Sequence, residues 1–172
     1  MVATFHSVIG EPWIGMDPVR LGTVPSGLGT ADRFVTIVDS DGDPVVRIDL
    51  YRSSEEVYAF EEALHWSRFV VIGWGHRVYL VEPRSKHSDS VDLGCYFGHA
   101  CAASEYLLIA SAKRLFRIEP DASVGWRSEV LGLDGVVVER VSDGVIEGKG
   151  EWDPPGGWKR FRLSVSSGNR EW

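Results

Sequence analysis

Two carboxylates and two tryptophans stand close together in one short segment of the sequence. Glu151 and Asp153 flank Trp152, and a loop rich in Pro and Gly leads on to Trp158. Side chains two residues apart on an extended chain are separated by about 6.6–7 Å, within the carboxylate spacing of inverting glycosidases. The segment suggests a ligand-binding or hydrolytic loop, and a set of solvated acidic residues is the alternative. Trp74 is a further candidate for ligand contact, and no residue is assigned a catalytic role.

A run of aspartates forms a candidate calcium-binding segment. Asp39, Asp41 and Asp43 alternate with small residues, and calcium prefers several closely spaced carboxylate oxygens. The twelve-residue EF-hand pattern ends on a glutamate, but Leu50 stands at that position. We therefore expect the tip of a hairpin here, with calcium binding as the weaker alternative.

Two histidines and two cysteines carry the side chains that zinc prefers. They are His87, Cys95, His99 and Cys101, and their spacing matches no common zinc finger or ribbon. Cys101 lies among alanines, and free cysteines often pack as small apolar residues. We expect no metal site here and no cofactor. Two cysteines make no disulfide framework, which favours the reducing cytoplasm.

The charge balance argues against a polyphosphate partner. The chain has 18 Lys and Arg against 25 Asp and Glu, a formal net charge of −7 at pH 7. An acidic protein repels nucleic acid unless its basic residues gather on one face. No apolar run approaches the roughly 20 residues that span a bilayer. We expect neither a nucleic-acid partner nor a membrane partner.

Internal repetition is the strongest signal in the sequence. Residues 69–83 align without a gap with residues 106–120, an offset of 37 from residue 69 to residue 106. Each copy has an apolar strand, a turn of small residues, a second apolar strand and a final Glu-Pro, where proline ends the pairing. The repeats predict a single β domain over residues 1–172. Its units lie near residues 33–50, 68–83, 105–120 and 135–168.

The pattern within the repeats predicts how their sheets pack. Residues 69–72 and 106–109 are apolar on both strand faces, whereas a sheet covered on one side alternates apolar and polar residues. We therefore predict an all-β, propeller-like array of about four small antiparallel sheets, incomplete or partly open, with at most one short helix. A β-sandwich is the alternative. Residues 2–9 would add a strand that completes the last sheet.

Local signals add one helix candidate and several turns. Ser53 and Glu56 have the spacing of a capping box, and residues 57–64 carry an apolar stripe with helical spacing. These two patterns predict a short helix or turn, and an outer strand is the alternative. The small residues at 73–75 and 110–112 indicate close approach of the backbone. Three pairs of aspartate followed by glycine predict turns: Asp41-Gly42, Asp134-Gly135 and Asp143-Gly144. The first pair predicts a two-residue type I′ turn.

The repeated hairpins resemble the inner strand pairs of β-propeller proteins with pyrroloquinoline-quinone-type and WD-type blades. The segment from Trp126 to Gly168 is similar to the tail of uncharacterised bacterial proteins of this kind. The resemblance covers residues 33–168, but the Trp-Asp endings and Gly-His starts of WD repeats are absent. It implies a blade-like fold and carries over neither a cofactor nor catalytic residues.

The function that the sequence favours is non-catalytic binding. A repeat scaffold with an acidic surface suits a regulatory or immunity-like module that binds a protein partner or associates with itself. The alternative is a protein that binds a carbohydrate or another small molecule, or hydrolyses it, with the loop from Trp152 to Trp158. Fold alone does not separate the two, because one scaffold hosts many functions.

Overall fold

The computed structural model describes residues 1–27 and 29–171 and has the predicted all-β architecture. Fifteen described strands form four small open sheets, with the orders β1-β3-β4-β2, β5-β6-β7-β8, β12-β11-β10-β9 and β13-β14-β15. We call them sheets 1 to 4 in that order. The strands are β1 Val2–His6, β2 Val19–Gly22, β3 Arg33–Val38, β4 Pro44–Tyr51, β5 Glu61–Trp66, β6 Phe69–Trp74, β7 Arg77–Glu82, β8 His87–Asp92, β9 Phe97–Ala102, β10 Leu107–Ser111, β11 Leu115–Ile118, β12 Val124–Arg127, β13 Val136–Ser142, β14 Val145–Glu151 and β15 Trp158–Ser164.

The expectation that the central repeat strands are buried on both faces is confirmed. Every residue of β6 is buried, and so is every residue of β10. In a strand, successive side chains point to opposite faces, so an unbroken buried run requires cover above and below the sheet. The apolar hairpins of the sequence correspond to the inner strands β6-β7 and β10-β11.

The chain consists of two compact units. The first comprises Met1–Glu56, Glu62–Ile72 and Tyr79–Ser90, and the second comprises Val57–Glu61, Gly73–Val78 and Val91–Trp172. The core of the first unit includes Val35, Ile37, Val46, Ile48 and Leu50, none of which is exposed.

Sheets 3 and 4 share the core of the second unit. Leu108 and Leu115 of sheet 3 pack in one cluster with Ile146, Phe161 and Leu163 of sheet 4. The alternation along β15 explains its share of the cluster, because Phe161 and Leu163 are buried while Arg160 and Arg162 are exposed. This stacking of one small sheet on the next agrees with the packing that the repeats predict.

The N-terminal strand does not complete the last sheet, so that expectation was wrong. β1 pairs antiparallel with β3, with Val2 opposite Val38 and His6 opposite Phe34, and forms an edge of sheet 1. A bond of 2.8 Å between His6 Nε2 and Thr36 Oγ1 adds to this pairing. At the edge of sheet 4, Leu163 of β15 instead forms a bridge with Arg170.

The turn at Ser53–Glu56 is present, but the helix that would follow it is not. The backbone N–H of Glu56 donates to the carbonyl of Ser53 at 3.4 Å, which closes a single turn. Glu61–Trp66 is then the strand β5, and the Trp66 ring stacks on Phe69 at 6.5 Å. Burial of Trp66 in the sheet outweighs the local helical pattern. The described residues hold one helix, the 3₁₀ turn Trp13–Gly15, and none long and apolar enough to cross a membrane.

One hairpin turn and one strand pairing differ from expectation. Five residues separate β3 from β4, and only Gly42 of the Asp41-Gly42 pair has a positive φ, of 87°, so this is not a two-residue turn. Asp143 and Gly144 do connect β13 to β14 as a two-residue turn, with φ angles of 53° and 77°. Sheet 1 is mixed, because β2 pairs parallel with β4.

Candidate functional site

A cleft of about 440 Å³ opens within the second unit, at one end of sheets 3 and 4. β9, β13 and β15 begin at this end, and β10 and β14 finish there. The ends of five strands therefore surround one space, which is large enough for a small organic molecule. The lining residues are Phe60, Tyr96, Gly98, His99, Ser111, Ala112, Asp134, Gly135, Val136, Val137, Glu151 and Trp158.

The register of sheet 4 brings a carboxylate and an indole together. Glu151, the last residue of β14, lies directly opposite Trp158, the first residue of β15. Residues that face each other in antiparallel strands project on the same side of the sheet. The Trp158 ring covers Gly135, where an added Cβ would meet Cη2 of the indole at 3.1 Å. The short loop between the two strands thus fixes the acidic and aromatic side of the cleft.

Backbone hydrogen bonds hold the segment before β13 against the end of β14. The N–H of Leu133 donates to the carbonyl of Glu151 at 2.6 Å, and the N–H of Glu151 donates to the carbonyl of Gly135 at 2.9 Å. These bonds position Asp134 beside the start of β13. The Asp134-Gly135 pair, expected only to form a turn, therefore contributes to the wall of the cleft.

Two further aromatic rings line the cleft. The Phe60 and Tyr96 centroids are 6.1 Å apart with their planes tilted by 45°. Phe60 is 56% exposed and Trp158 is 40% exposed, although both are large apolar side chains. Adjacent exposed aromatic surface of this kind is typical of binding sites.

The Tyr96 hydroxyl connects the Phe60–Tyr96 pair to Asp134. It lies 2.9 Å from Oδ1 of Asp134 and 2.5 Å from the carbonyl oxygen of the same residue. Burial raises the pKa of the Tyr96 phenol to about 12, and the hydrogen bond to Asp134 and the negative charges of Asp134, Cys95 and Glu151 act in the same direction. The phenol therefore stays protonated and donates to Asp134 at neutral pH.

We expect Tyr96 to titrate about two pH units above an ordinary tyrosine. Because its pKa in the folded protein exceeds the ordinary value of 10.0, folding favours the protonated form. This contribution to stability is complete below pH 10 and is lost as the pH rises through about 12. Titration of protein labelled at tyrosine Cζ, followed by NMR, measures the pKa directly.

The control for this titration is Asp134→Asn, which keeps a side-chain oxygen for the Tyr96 hydroxyl but removes the charge. The midpoint of Tyr96 should move towards 10 in that variant. A Tyr96 resonance that titrates at 10 in the parent protein would contradict the described geometry.

A histidine links the two sheets beside the cleft. The N–H of Val138 in β13 donates to Nε2 of His99 in β9 at 3.3 Å. A ring nitrogen that accepts a hydrogen bond carries no proton, so the imidazole is neutral in this arrangement. His99 is one of the four residues whose side chains could bind zinc, and the described residues include no group of three or more His, Cys, Asp or Glu arranged to hold a metal ion.

The structure separates the five residues that sequence analysis proposed as ligand contacts. Glu151 and Trp158 line the cleft. Trp152 lines a different cavity of about 230 Å³, where Lys159 Nζ lies 5.6 Å from its ring centroid. Asp153 is exposed, and its carbonyl accepts the N–H of Gly157 in the loop. Trp74 is only 2% exposed.

The aspartates proposed for calcium form the tip of a hairpin. Oδ1 of Asp39 accepts the backbone N–H groups of Asp41 and Asp43, at 2.9 and 3.0 Å. Aspartate commonly closes a turn in this way. The carboxylate of Asp39 thus has a local role in the loop between β3 and β4.

Sequence reasoning did not identify Phe60, Tyr96 or Asp134 as parts of this site. Phe60 was placed on the apolar stripe of a helix, and Asp134 was interpreted as a turn residue. A usable signal existed for Asp134, because it stands two residues before the run of valines that begins β13. Nothing comparable marks Tyr96, whose position depends on pairing between distant segments.

Comparison with known proteins assigns the chain to no family. No family model matches the sequence, and no curated protein is significantly similar to it.

Proposed function

We propose that the protein is a non-catalytic binding module whose site for a small organic ligand is the cleft in the second unit. The observation that carries the proposal is the convergence of three aromatic side chains and two carboxylates on one cavity of about 440 Å³. Small-molecule sites are concave and mainly apolar, with a few polar groups that orient the ligand. Phe60, Tyr96 and Trp158 supply the apolar surface, and Asp134 and Glu151 supply the polar groups.

The placement of the acidic residues favours binding over hydrolysis. Glu151 lines the cleft whereas Asp153, its partner in the hydrolase alternative, is an exposed loop residue that does not line it. Oε1 of Glu151 accepts the N–H of Gly156 at 2.5 Å, so the carboxylate also holds its own loop. A hydrolase of the inverting type needs two carboxyl groups on opposite sides of one substrate bond.

The substitution Trp158→Ala should weaken ligand binding about 30-fold. Truncation of a tryptophan at the centre of a binding site costs about 2 kcal/mol, and each 1.4 kcal/mol is a factor of ten. The measurement is a titration by ¹H–¹⁵N NMR, with hits from a panel of small amines, sugars and carboxylic acids. Trp152→Ala is the matched control, because that tryptophan belongs to the same loop but lines another cavity.

If no compound of the panel shifts the NMR resonances of residues that line the cleft, the proposal is wrong. If Trp152→Ala weakens binding as much as Trp158→Ala, the ligand site is not this cleft.

A second candidate function is capture of a protein partner, which the exposure of Phe60 and Trp158 also favours. A partner would insert one side chain into the cleft and cover the two rings. Native mass spectrometry on protein purified from its source distinguishes the candidates, because a co-purifying protein should dissociate from the Trp158→Ala variant.

The proposal also includes the arrangement of the sheets and the cellular compartment of the protein. The stacking of sheets 3 and 4 through one core supports a propeller-like arrangement of blades. Cys95 and Cys101 are both free thiols, which supports a reducing compartment such as the cytoplasm.

A further inference from the structure

The cleft has the two components of an organic-cation site. The faces of aromatic rings are negative and attract cations within about 6 Å, and Phe60, Tyr96 and Trp158 each expose part of a ring to this space. Asp134 and Glu151 add two full negative charges at the same cavity. A neutral or anionic ligand would leave these charges without a counterion.

The surroundings of the cleft do not cancel its negative charge. Among the described lining residues there is no lysine or arginine. Lys149 Nζ lies 5.5 Å from the Trp158 ring centroid, but it also forms an ion pair with Glu139 at 3.0 Å. His99 is neutral while it accepts the N–H of Val138.

Both carboxylates retain hydrogen-bonding capacity for a ligand. An ionised carboxylate has about four acceptor positions. Asp134 accepts the Tyr96 hydroxyl, and Glu151 accepts the N–H of Gly156. These bonds orient the side chains without using all of their acceptor positions. The field of the same two charges also contributes to the raised pKa of Tyr96.

Building on the proposed function, we infer that the ligand of the cleft carries an alkylated ammonium group. Alkyl substituents on the nitrogen suit the apolar rings, and the positive charge suits Asp134 and Glu151. Such a group occurs both in free quaternary amines and in the methylated lysine side chains of proteins. The volume of about 440 Å³ accommodates either one.

The test is a series of three probes with one shape and different charges. Choline is cationic, 3,3-dimethylbutan-1-ol replaces its nitrogen by carbon, and 3,3-dimethylbutanoate is anionic. We expect choline to bind about tenfold more tightly than the alcohol, in the range of a cation–π contact, and the anion to bind more weakly than both. NMR titration of the full chain gives the three dissociation constants.

Conservative variants connect the preference to the two carboxylates. Asp134→Asn and Glu151→Gln each retain a side-chain oxygen for the existing hydrogen bond but remove the charge. The double variant should lower the ratio of choline to alcohol affinity to about two. Glu147→Gln is the matched control, because Glu147 lies on the same strand, pairs with Arg162 at 3.4 Å and does not line the cleft.

The outcomes separate this inference from the proposed function. If the alcohol binds the cleft as tightly as choline, or if the double variant keeps the full preference, the inference is overturned while the binding site stands. If choline does not bind but another compound of the panel does, the inference is likewise overturned while the binding site stands. If no compound binds, both proposals fail. A peptide with trimethyllysine that binds tenfold more tightly than choline supports the inference and identifies a protein side chain as the source.

Discussion

The substitution Gly150→Ala is expected to lower the melting temperature of the protein by roughly 6–12 °C. Gly150 is a buried residue of β14, and a Cβ atom added there would lie 1.8 Å from the carbonyl oxygen of Leu131. That distance is far inside any van der Waals contact, and the obstacle is backbone. Overpacking of this kind costs about 3 kcal/mol, and each kcal/mol shifts the melting temperature of a chain this long by about 2–4 °C.

The neighbouring backbone cannot easily move to relieve the clash. The N–H of Leu131 donates to the carbonyl of Lys113 at 2.8 Å, and the N–H of Leu133 donates to the carbonyl of Glu151 at 2.6 Å. A shift of Leu131 would therefore break hydrogen bonds that tie this segment to both sheets 3 and 4. It would also displace Asp134 from the cleft.

Gly10→Ala is the control for this prediction. A Cβ at Gly10 meets nothing within 4 Å, and the residue has no positive φ. The melting temperature followed by circular dichroism should then be unchanged or slightly higher, because alanine reduces the freedom of the unfolded chain. Equal melting temperatures for the Gly150→Ala variant and the parent would show that β14 and the Leu131 segment are less closely packed than described.

The repeat of apolar hairpins was sufficient to predict the central strands. Buried strands such as β6 and β10 carry their signal locally, since every residue of each is apolar or small. The reason for the small residue at position 73 differs from the predicted close approach of the backbone. Gly73 lies within β6, and a Cβ there would meet ring atoms of Phe97 at 2.2 Å, so the glycine makes room for a side chain.

Pairing between distant segments was not predictable in the same way. The partner of β1 depends on the edge that sheet 1 leaves open, and the parallel pairing of β2 with β4 depends on how the chain returns to that sheet. Neither choice changes the alternation of residues within the strand. A single sequence therefore predicts the strand but not its neighbour.

The same limit explains which parts of the cleft were predictable. Glu151 and Trp158 belong to adjacent strands joined by a short loop, so their proximity follows from local pairing. Tyr96 and Asp134 are 38 residues apart in the chain and meet through a hydrogen bond. The candidate tryptophans lie in different environments, with Trp74 buried in β6, Trp158 exposed at the start of β15 and Trp152 in the loop between β14 and β15, and composition does not reveal this.

A buried ion pair in the first unit provides the second large effect. Nε of Arg47 donates to Oδ1 of Asp49 at 2.8 Å, and Nη2 donates to Oδ2 at 2.9 Å. The side chains are only 16% and 6% exposed. Nη1 of Arg47 also lies 3.2 Å from the carbonyl oxygen of Trp13, so the guanidinium connects β4 to the 3₁₀ turn.

We expect Arg47→Met to destabilise the first unit by about 3–5 kcal/mol, because removal of one partner leaves the Asp49 carboxylate buried without a counterion. Thermal unfolding followed by circular dichroism measures the effect. The double variant Arg47→Met/Asp49→Leu should recover at least half of the loss, since it removes the buried charge. Arg68→Met is the matched control, because Arg47 lies over the Phe34 ring and Arg68 lies over the Phe69 ring. Arg68 pairs with Glu82 but is 56% exposed, so its loss should cost less than about 1 kcal/mol. A similar cost for Arg47→Met and Arg68→Met would mean that burial of Asp49 does not determine the energetics of this pair.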